Sequence, residues 1–241
     1  MRRALGKDHP RIAAVDDGAF ARGDRYAPLA AVVVSAPEHL EAARVGRVRV
    51  DGTDATRRVV ALLRALGPMD GIRAVLLDGA VVGGFNAIDL DAVYRATGVP
   101  VVAVTRRRPD FPRIGRALRR WFPRTAAQRL TLLRRHRLSS VPTGGEPIFA
   151  AASGCSAVDA AWLVRKTAVH GYWPEPLRLA HLIASAGRRR APASPGRLRR
   201  ELVDASRRRG REVTTSVRSD DRPRSPGRGP LPRPRTNGAI R

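Results

Sequence analysis

The stretch "RAVLLDG" (residues 73–79) predicts a buried strand that ends on a carboxylate, because an apolar run stops at Asp78 and is followed by Gly79. Two other stretches end in the same way, "RIAAVDDG" (residues 11–18) and "VRVDGTDAT" (residues 48–56). A turn explains each Asp-Gly pair on its own, since both residues tolerate the left-handed region of backbone space. The alternative interpretation is that the three strand ends converge and that their carboxylates share one function.

Strand-like and helix-like patterns alternate through the first 187 residues. Three early strands follow one another without helices, which favours an antiparallel meander, and helices separate the later strands, as parallel crossovers require. We therefore predict an α/β domain with a mixed sheet, helices on both faces, and carboxylate-bearing strand ends near the centre. The predicted strands are 11–15, 29–34, 45–50, 73–77, 99–104 and 148–151, and the predicted helices are 53–66, 89–97, 113–121, 126–135, 157–166 and 177–186.

Residues 188–241 differ from this domain in composition. They carry 17 arginines against five acidic residues and are rich in proline, glycine and serine. Such a segment has too few large apolar groups to offset the entropy lost on ordering, so we predict a mostly disordered basic tail after a domain spanning residues 1–187. The tail is interpreted either as an accessory arm for nucleic acid or as an extension without function.

The charge and the cysteine content limit the function classes. The formal net charge is +25, and only two of the 46 basic residues are lysines, so the surface should attract phosphate backbones. The single cysteine excludes an internal disulfide framework. No apolar run has the length of a membrane helix, and "MRRALGKDHP" lacks the apolar stretch of a signal peptide. We expect a cytoplasmic protein with no membrane partner; the oligomeric state is left open.

Four blocks resemble, in the same order, the archaeal "domain of unknown function 99" family, which is related to endonuclease V. They are "VDDGAF", "VRVDGTDAT", "LLDGAVVGGFNAIDLDAVYRATGVPVVAV" and "WPEPLRLAHLIASA", and the match spans about residues 10 to 187. The segments "LLDG", "VPVVAVTR" and "PEPLRLAH" are also similar to successive stretches of endonuclease V itself. The resemblance implies a ribonuclease H-like fold, in agreement with the predicted mixed sheet.

The resemblance also implies a catalytic centre made of three acids and a histidine. Asp17 is a neighbour that could replace the first acid, and Asp51 competes with Asp54 as the second. The implied catalytic residues are Asp16, Asp54, Asp78 and His181.

The chemistry of phosphodiester hydrolysis agrees with this set. Hard cations held by carboxylates neutralise charge on the attacking and leaving oxygens, and magnesium needs only a few carboxylates together with water and substrate phosphate. His181 is expected to transfer a proton or to position water; the alternative is a helix histidine satisfied by neighbouring backbone. The expected ligands of Mg²⁺ or Mn²⁺ are Asp16, Asp51, Asp54 and Asp78.

The basic stretch "TRRRPDFPRIGRALRR" (residues 105–120) follows one of the predicted strands. Within it, Arg106 falls on the position of a lysine in endonuclease V. A solvated arginine face is the default interpretation of such a stretch, and its place beside the predicted acids supports the alternative of a track for phosphates. The expected nucleic-acid contacts are Arg106, Arg107, Arg108 and Arg113.

These features predict a metal-dependent, nuclease-like protein whose partner is DNA or RNA. One alternative is a nucleic-acid-binding protein that retains the fold without turnover, and another is a phosphate-ester enzyme with a small substrate. Endonuclease V has an aromatic-proline "PYIP" block that this chain lacks in "HLEAARVGRVRV" (residues 39–50). The glycine-rich "GGFN" (residues 83–86) continues the chain where endonuclease V has "HPR", so the recognised base is left open.

Overall fold

A seven-stranded mixed sheet forms the centre of the computed structural model, which describes residues 9–21, 23–36 and 38–186. The strands are β1 (Arg11–Asp17), β2 (Tyr26–Ser35), β3 (His39–Arg49), β4 (Ile72–Asp78), β5 (Val81–Val82), β6 (Asn86–Ala87), β7 (Val101–Thr105), β8 (Ser139–Val141) and β9 (Ile148–Ser153). The helices are α1 (Ala55–Ala65), α2 (Leu90–Thr97), α3 (Phe111–Trp121), α4 (Ala126–Arg134), α5 (Ala157–Thr167) and α6 (Glu175–Ala186). The predicted tail, residues 188–241, lies outside the described residues.

The large sheet has the strand order β3-β2-β1-β4-β7-β9-β8, and β5 pairs with β6 in a small separate hairpin. Strands β1, β2 and β3 form the predicted antiparallel meander, and β4 and β7 continue the sheet parallel to β1. The expectation of a parallel strand is wrong for β9, which pairs antiparallel with β7. Helices α3 and α4 and strand β8 lie between β7 and β9 in the chain. Because β8 pairs antiparallel with β9, the chain enters β9 from the end of the strands opposite to the one at which it enters β7.

Both faces of the sheet are buried, which explains the nearly continuous apolar sequence of the central strands. Side chains alternate along β1: Ala13 and Val15 belong to one apolar core, whereas Ile12 and Ala14 belong to the other. Helices α1 and α2 cover the first core, and α5 and α6 cover the second. The prediction of helices on both faces is confirmed.

The parallel pairing of β1 with β4 brings their carboxyl ends to the same edge of the sheet. Helix α6 packs against β1 close to this edge. Only glycine allows that approach, because a Cβ at Gly18 would collide with the main-chain oxygen of Ala184. Two strand ends and one helix therefore meet at a single place. None of the helices in the described ranges is long and apolar enough to cross a membrane.

Candidate active site

The ends of β1 and β4, the turn after β4 and helix α6 enclose a cavity of about 280 Å³, which we call the acid cavity. Three acidic side chains and one histidine line it, so the structure brings together Asp16, Asp78 and His181 of the predicted set. It adds Asp17, which the sequence offered only as a substitute for its neighbour. The lining residues are Asp16, Asp17, Asp78, Val81, Val82, Gly84 and His181.

Asp16 is the most enclosed of the acids, with 3% of its surface exposed. Its Oδ2 is hydrogen-bonded to Nδ1 of His181 at 2.8 Å, and its Oδ1 accepts a hydrogen bond from the main-chain nitrogen of Asp17 at 2.7 Å. Burial, followed by the charges of Asp78 and Asp17, raises the pKa of Asp16 to about 8. Near neutral pH this carboxyl therefore keeps its proton unless a cation compensates its charge.

The other two acids of the cavity are also held in place. Oδ2 of Asp17 accepts a hydrogen bond from the main-chain nitrogen of Gly83 at 2.7 Å. Burial raises the pKa of Asp17, and burial also raises the pKa of Asp78 although the Arg106 guanidinium opposes that shift. Nη1 of Arg106 lies 3.8 Å from Oδ2 of Asp78, and its guanidinium carbon stacks 3.7 Å from the centre of a Trp173 ring. One predicted phosphate-binding arginine is thus part of the acid cavity's rim.

The donor atoms of the acid cavity suit a hard divalent cation. Three carboxyls with raised pKa values line the acid cavity, and carboxylate oxygen is the donor that magnesium and manganese prefer. Among the residues the structure describes, no three acidic, histidine or cysteine side chains converge as one metal site. Magnesium takes one or two protein carboxylates and completes its octahedron with water and phosphate, so Asp16 and Asp78 meet its requirement.

Asp54 does not line the acid cavity. Its Oδ1 accepts hydrogen bonds from Nδ2 of Asn86 at 2.8 Å and from the main-chain nitrogen of Arg49 at 3.3 Å, and its Oδ2 accepts from Nε of Arg58 at 3.2 Å. Burial disfavours the charged form, but these hydrogen bonds outweigh it and lower the pKa of Asp54. Asp54 therefore ties the end of β3 and the start of α1 to β6 through three hydrogen bonds from protein donors.

Asp51 likewise lies outside the residues that line the cavity, in the turn after β3. It has a positive φ of 56°, and its Oδ1 accepts a hydrogen bond from the main-chain nitrogen of Phe85 at 2.9 Å. Its own main-chain nitrogen donates to the carbonyl oxygen of Gly83 at 2.7 Å. A Cβ at Gly84 would collide with the Asp51 carboxylate, which explains the second glycine of "GGFN". Asp51 fixes the loop beside the acid cavity, and Asp17 occupies the cavity instead.

The other three arginines predicted to bind phosphate are not among the residues that line the acid cavity. Arg107 and Arg108 are exposed in the loop after β7, and Arg113 is exposed in the first turn of α3. The main-chain nitrogen of Arg113 donates to Oδ1 of Asp110, which caps this helix. Their guanidinium groups therefore face solvent and are available to an anion.

A second cavity, of about 190 Å³, adjoins the acid cavity, and we call it the apolar cavity. Val81 and Gly84 line both cavities. Its other apolar side chains include Phe85, Phe111, Ile114 and Leu133, and Thr105 and His136 contribute polar groups. The sequence predicted no such cavity; its only local signal was the glycine-rich "GGFN" segment, whose backbone permits close approach of a ligand.

The strand order, and the carboxylates at the ends of two neighbouring parallel strands, define a ribonuclease H-like protein of the nuclease-like class. A family model described as "Endonuclease dU" matches residues 8–187, and the chain belongs to this family. The family resemblance predicted from the four sequence blocks is thereby confirmed.

Archaeal proteins are among the relatives. A UPF0215 protein of Methanothermobacter thermautotrophicus is 36% identical over 180 residues, covering 74% of this chain and 88% of the relative. A UPF0215 protein of Thermococcus gammatolerans is 35% identical over 184 residues, covering 75% of this chain and 93% of the relative.

Solved structures agree on the fold. A protein of unknown function from Archaeoglobus fulgidus superposes with a TM-score of 0.66 at 30% identity, covering 73% of this chain and 96% of that one. A variant of Ciona intestinalis endonuclease V, bound to a 23mer DNA with an inosine followed by a ribo-adenosine, gives a TM-score of 0.51. That match has 17% identity and covers 75% and 86% of the two chains, so it bears on the fold alone.

Proposed function

We propose that this protein is a divalent-metal-dependent endonuclease that hydrolyses a phosphodiester bond of DNA at or near deoxyuridine. The acid cavity carries the proposal: the buried carboxyl of Asp16, the partly buried carboxyls of Asp17 and Asp78, and one histidine line it at the ends of two parallel strands. The family description, "Endonuclease dU", supports the reaction class and points to deoxyuridine. The high net positive charge supports a polyanionic substrate.

Asp16 and Asp78 are the proposed ligands of Mg²⁺ or Mn²⁺. The bound ion supplies Lewis-acid stabilisation of the phosphate and a more acidic bound water. The ionised form of Asp16 would hold the cation, and its carboxylate would orient His181 through the hydrogen bond to Nδ1.

His181 has the exposure required of a proton-transfer group at a cleavage site. Its side chain is 56% exposed. Nε2, the ring nitrogen that is not hydrogen-bonded to Asp16, lies 3.4 Å from Oγ of Ser185. Nε2 therefore remains available to a leaving oxygen or an attacking water. Arg106, fixed between Asp78 and Trp173, is the cation that meets the non-bridging phosphate oxygens.

The apolar cavity is the proposed site for an unstacked base. It shares two lining residues with the acid cavity, so a nucleotide whose phosphate lies at the acids can place its base there. Phe85 and Phe111 provide apolar surface, and enzymes that select a base commonly take it out of the helical stack.

The test is cleavage of a labelled duplex that contains one deoxyuridine, compared with the same duplex containing thymidine. Cleavage of the deoxyuridine strand with Mn²⁺ or Mg²⁺, its loss with EDTA, and a loss of at least 100-fold in Asp78→Asn are expected. Hydrolysis of a small phosphate ester without cleavage of either duplex would support the small-substrate alternative and contradict the proposal.

A second candidate is a nucleic-acid-binding protein without turnover. It is favoured by one observation, that no three potential metal ligands converge in the described residues. Binding of the duplex with no cleavage by any divalent metal would support this candidate over the nuclease.

A further inference from the structure

Residues 107–137, which comprise the loop after β7, helices α3 and α4 and the segment up to Arg137, form a region that we call the basic arm. The arm contains eleven arginines and a single acidic residue, Asp110. That carboxylate is used within the arm, because it accepts a hydrogen bond from the main-chain nitrogen of Arg113 and caps α3. The arm therefore concentrates positive charge without internal compensation.

Most of this charge is also uncompensated from outside the arm. Arg135 is paired, with Nη1 at 3.0 Å from Oδ2 of Asp89 and at 3.5 Å from Oδ2 of Asp91. Within the described ranges, nine exposed arginines of the arm form no ion pair: Arg107, Arg108, Arg113, Arg116, Arg119, Arg120, Arg124, Arg134 and Arg137. A cluster of like charges at this density is stabilised by binding a polyanion.

Helix α3 arranges three of these arginines in a row. Arg113, Arg116 and Arg120 recur at intervals of three and four residues, so they lie on one face of the helix and span about 10 Å along its axis. Gly115 and Leu118 are the buried residues of the helix. A linear row of guanidinium groups matches the regular spacing of phosphates along a nucleic-acid strand better than it matches a small anion.

The arm is anchored to the loop that borders the acid cavity. Arg129 is only 5% exposed, and its Nη1 donates to the carbonyl oxygen of Phe85 at 2.6 Å while its Nη2 donates to that of Asp51 at 2.8 Å. Its guanidinium also lies 4.4 Å from the ring centre of Phe122, which packs on Phe85 with ring centres 5.8 Å apart. Because Phe85 lines the apolar cavity, the arm has a fixed position relative to the cleavage site.

An exposed aromatic side chain ends α3. Trp121 is 63% exposed, and the Arg120 guanidinium lies 5.2 Å from its ring centre. The next residue, Phe122, packs inward against Phe85, so the two consecutive aromatics have different surroundings. An exposed indole beside unpaired arginines is typical of a platform on which a nucleic-acid base stacks.

We propose that the basic arm binds the backbone of the DNA that flanks the cleavage point, with Arg113, Arg116 and Arg120 on phosphates and Trp121 stacked on a base. This inference rests on the proposed nucleic-acid substrate and identifies the surface that holds it. Arg129 is a positioning residue, because it holds the arm against the loop of the acid cavity and does not reach solvent.

The first experiment measures binding of the full-length protein to a fluorescent 30-base-pair duplex in EDTA, so that no result depends on cleavage. The triple variant Arg113→Ala, Arg116→Ala, Arg120→Ala is compared with Arg57→Ala, Arg95→Ala, Arg165→Ala, which removes the same charge from exposed positions on α1, α2 and α5. The slope of log affinity against log salt should become shallower by about 2 to 3 in the arm variant, since each lost phosphate contact contributes about 0.9. The control slope should change by less than about 1.

Equal changes of slope in the two triple variants would overturn the proposal. So would an equal affinity of the wild type for poly-glutamate of the same charge, because the arm would then be a surface for any polyanion, including an acidic protein. Circular dichroism of both variants checks that they are folded. Cleavage in the presence of Mn²⁺ tests the nuclease separately, so loss of one claim leaves the other measurable.

The second experiment addresses the stacking residue. Trp121→Ala should weaken binding of single-stranded DNA by about fivefold or more, and Trp121→Phe should retain most of the affinity, because a phenyl ring still stacks on a base. Tyr172→Ala, at another exposed aromatic, is the control and should bind as the wild type does. No loss in Trp121→Ala, or the same loss in Tyr172→Ala, would overturn the stacking role.

Discussion

At the scale of single residues, the acid cavity depends on a carboxyl that is unfavourable without a cation. Asp16 is buried beside Asp17 and Asp78, and His181 forms a side-chain hydrogen bond with it. Such a residue lowers the stability of the folded protein when it is charged, because burial and the neighbouring acids disfavour the charged form. The cost appears as a dependence of stability on pH.

Asp16→Asn should therefore change the pH dependence of unfolding in EDTA. The folded-state pKa of Asp16 is raised from 3.8 to about 8, so the folded protein holds this proton more tightly than the unfolded chain does. The contribution of this group to the free energy of unfolding is fully present below about pH 4. It is lost as the pH rises towards 8, by at most about 1.4 kcal/mol per pH unit. The stability of Asp16→Asn relative to the wild type should rise between pH 5 and pH 8 in urea titrations. A constant difference would contradict the raised pKa.

The structure places Asp16, Asp78 and His181 around one cavity, and each of them lies in a sequence block with its own local signal. The sequence could not place Asp17, since consecutive strand residues normally point to opposite faces. Asp17 reaches the cavity because β1 ends there and Gly83 donates a hydrogen bond to it. Nor did the sequence reveal that the carboxylate of Asp54 accepts a hydrogen bond from Asn86, 32 positions further along the chain.

At the scale of elements, the predictable parts of the fold are those with strong apolar patterns. The central strands and all six described helices correspond to predicted segments. Strand β3 starts at His39 instead of Val45, because an edge strand with mostly exposed side chains has no apolar run to mark it. The reversed direction of β9 depends on its pairing with β7, which is distant in sequence and which no local pattern encodes. Strand β8 pairs with the nearby β9, but its three residues are too few to show an apolar pattern.

Asp54→Ala tests the junction of β3, β6 and α1. Removing the carboxylate leaves one N–H group of the Asn86 amide and the main-chain nitrogen of Arg49 without an acceptor, and Asn86 is fully buried. The free energy of unfolding should fall by about 2 kcal/mol in a chemical denaturation experiment in EDTA. Asp78→Ala, measured in parallel, should not lose stability, because it removes a repelling charge from the acid cavity. Unchanged stability in Asp54→Ala would contradict its role as the tie between these elements.

At the scale of the whole molecule, opposite charges are segregated. The chain carries a formal net charge of +25, whereas three acidic side chains line the acid cavity, and the basic arm is fixed to the loop beside that cavity. This arrangement is suited to drawing a polyanion to the surface while reserving the carboxyls for a cation. The composition predicted the attraction to phosphate, whereas the position of the arm depends on the contacts of Arg129 with two distant carbonyl oxygens.

The central claim is that Asp16 and Asp78 hold a divalent cation, and isothermal titration of the full-length protein with Mn²⁺ tests it most directly. The wild type should take up Mn²⁺ saturably, Asp16→Asn and Asp78→Asn should each lose at least tenfold in affinity, and Asp54→Asn should bind as the wild type does. Asp54→Asn is the matched control, because it removes the same charge from a carboxylate that does not line the acid cavity. No uptake by the wild type, or a loss in Asp54→Asn with normal binding in Asp78→Asn, would contradict the account.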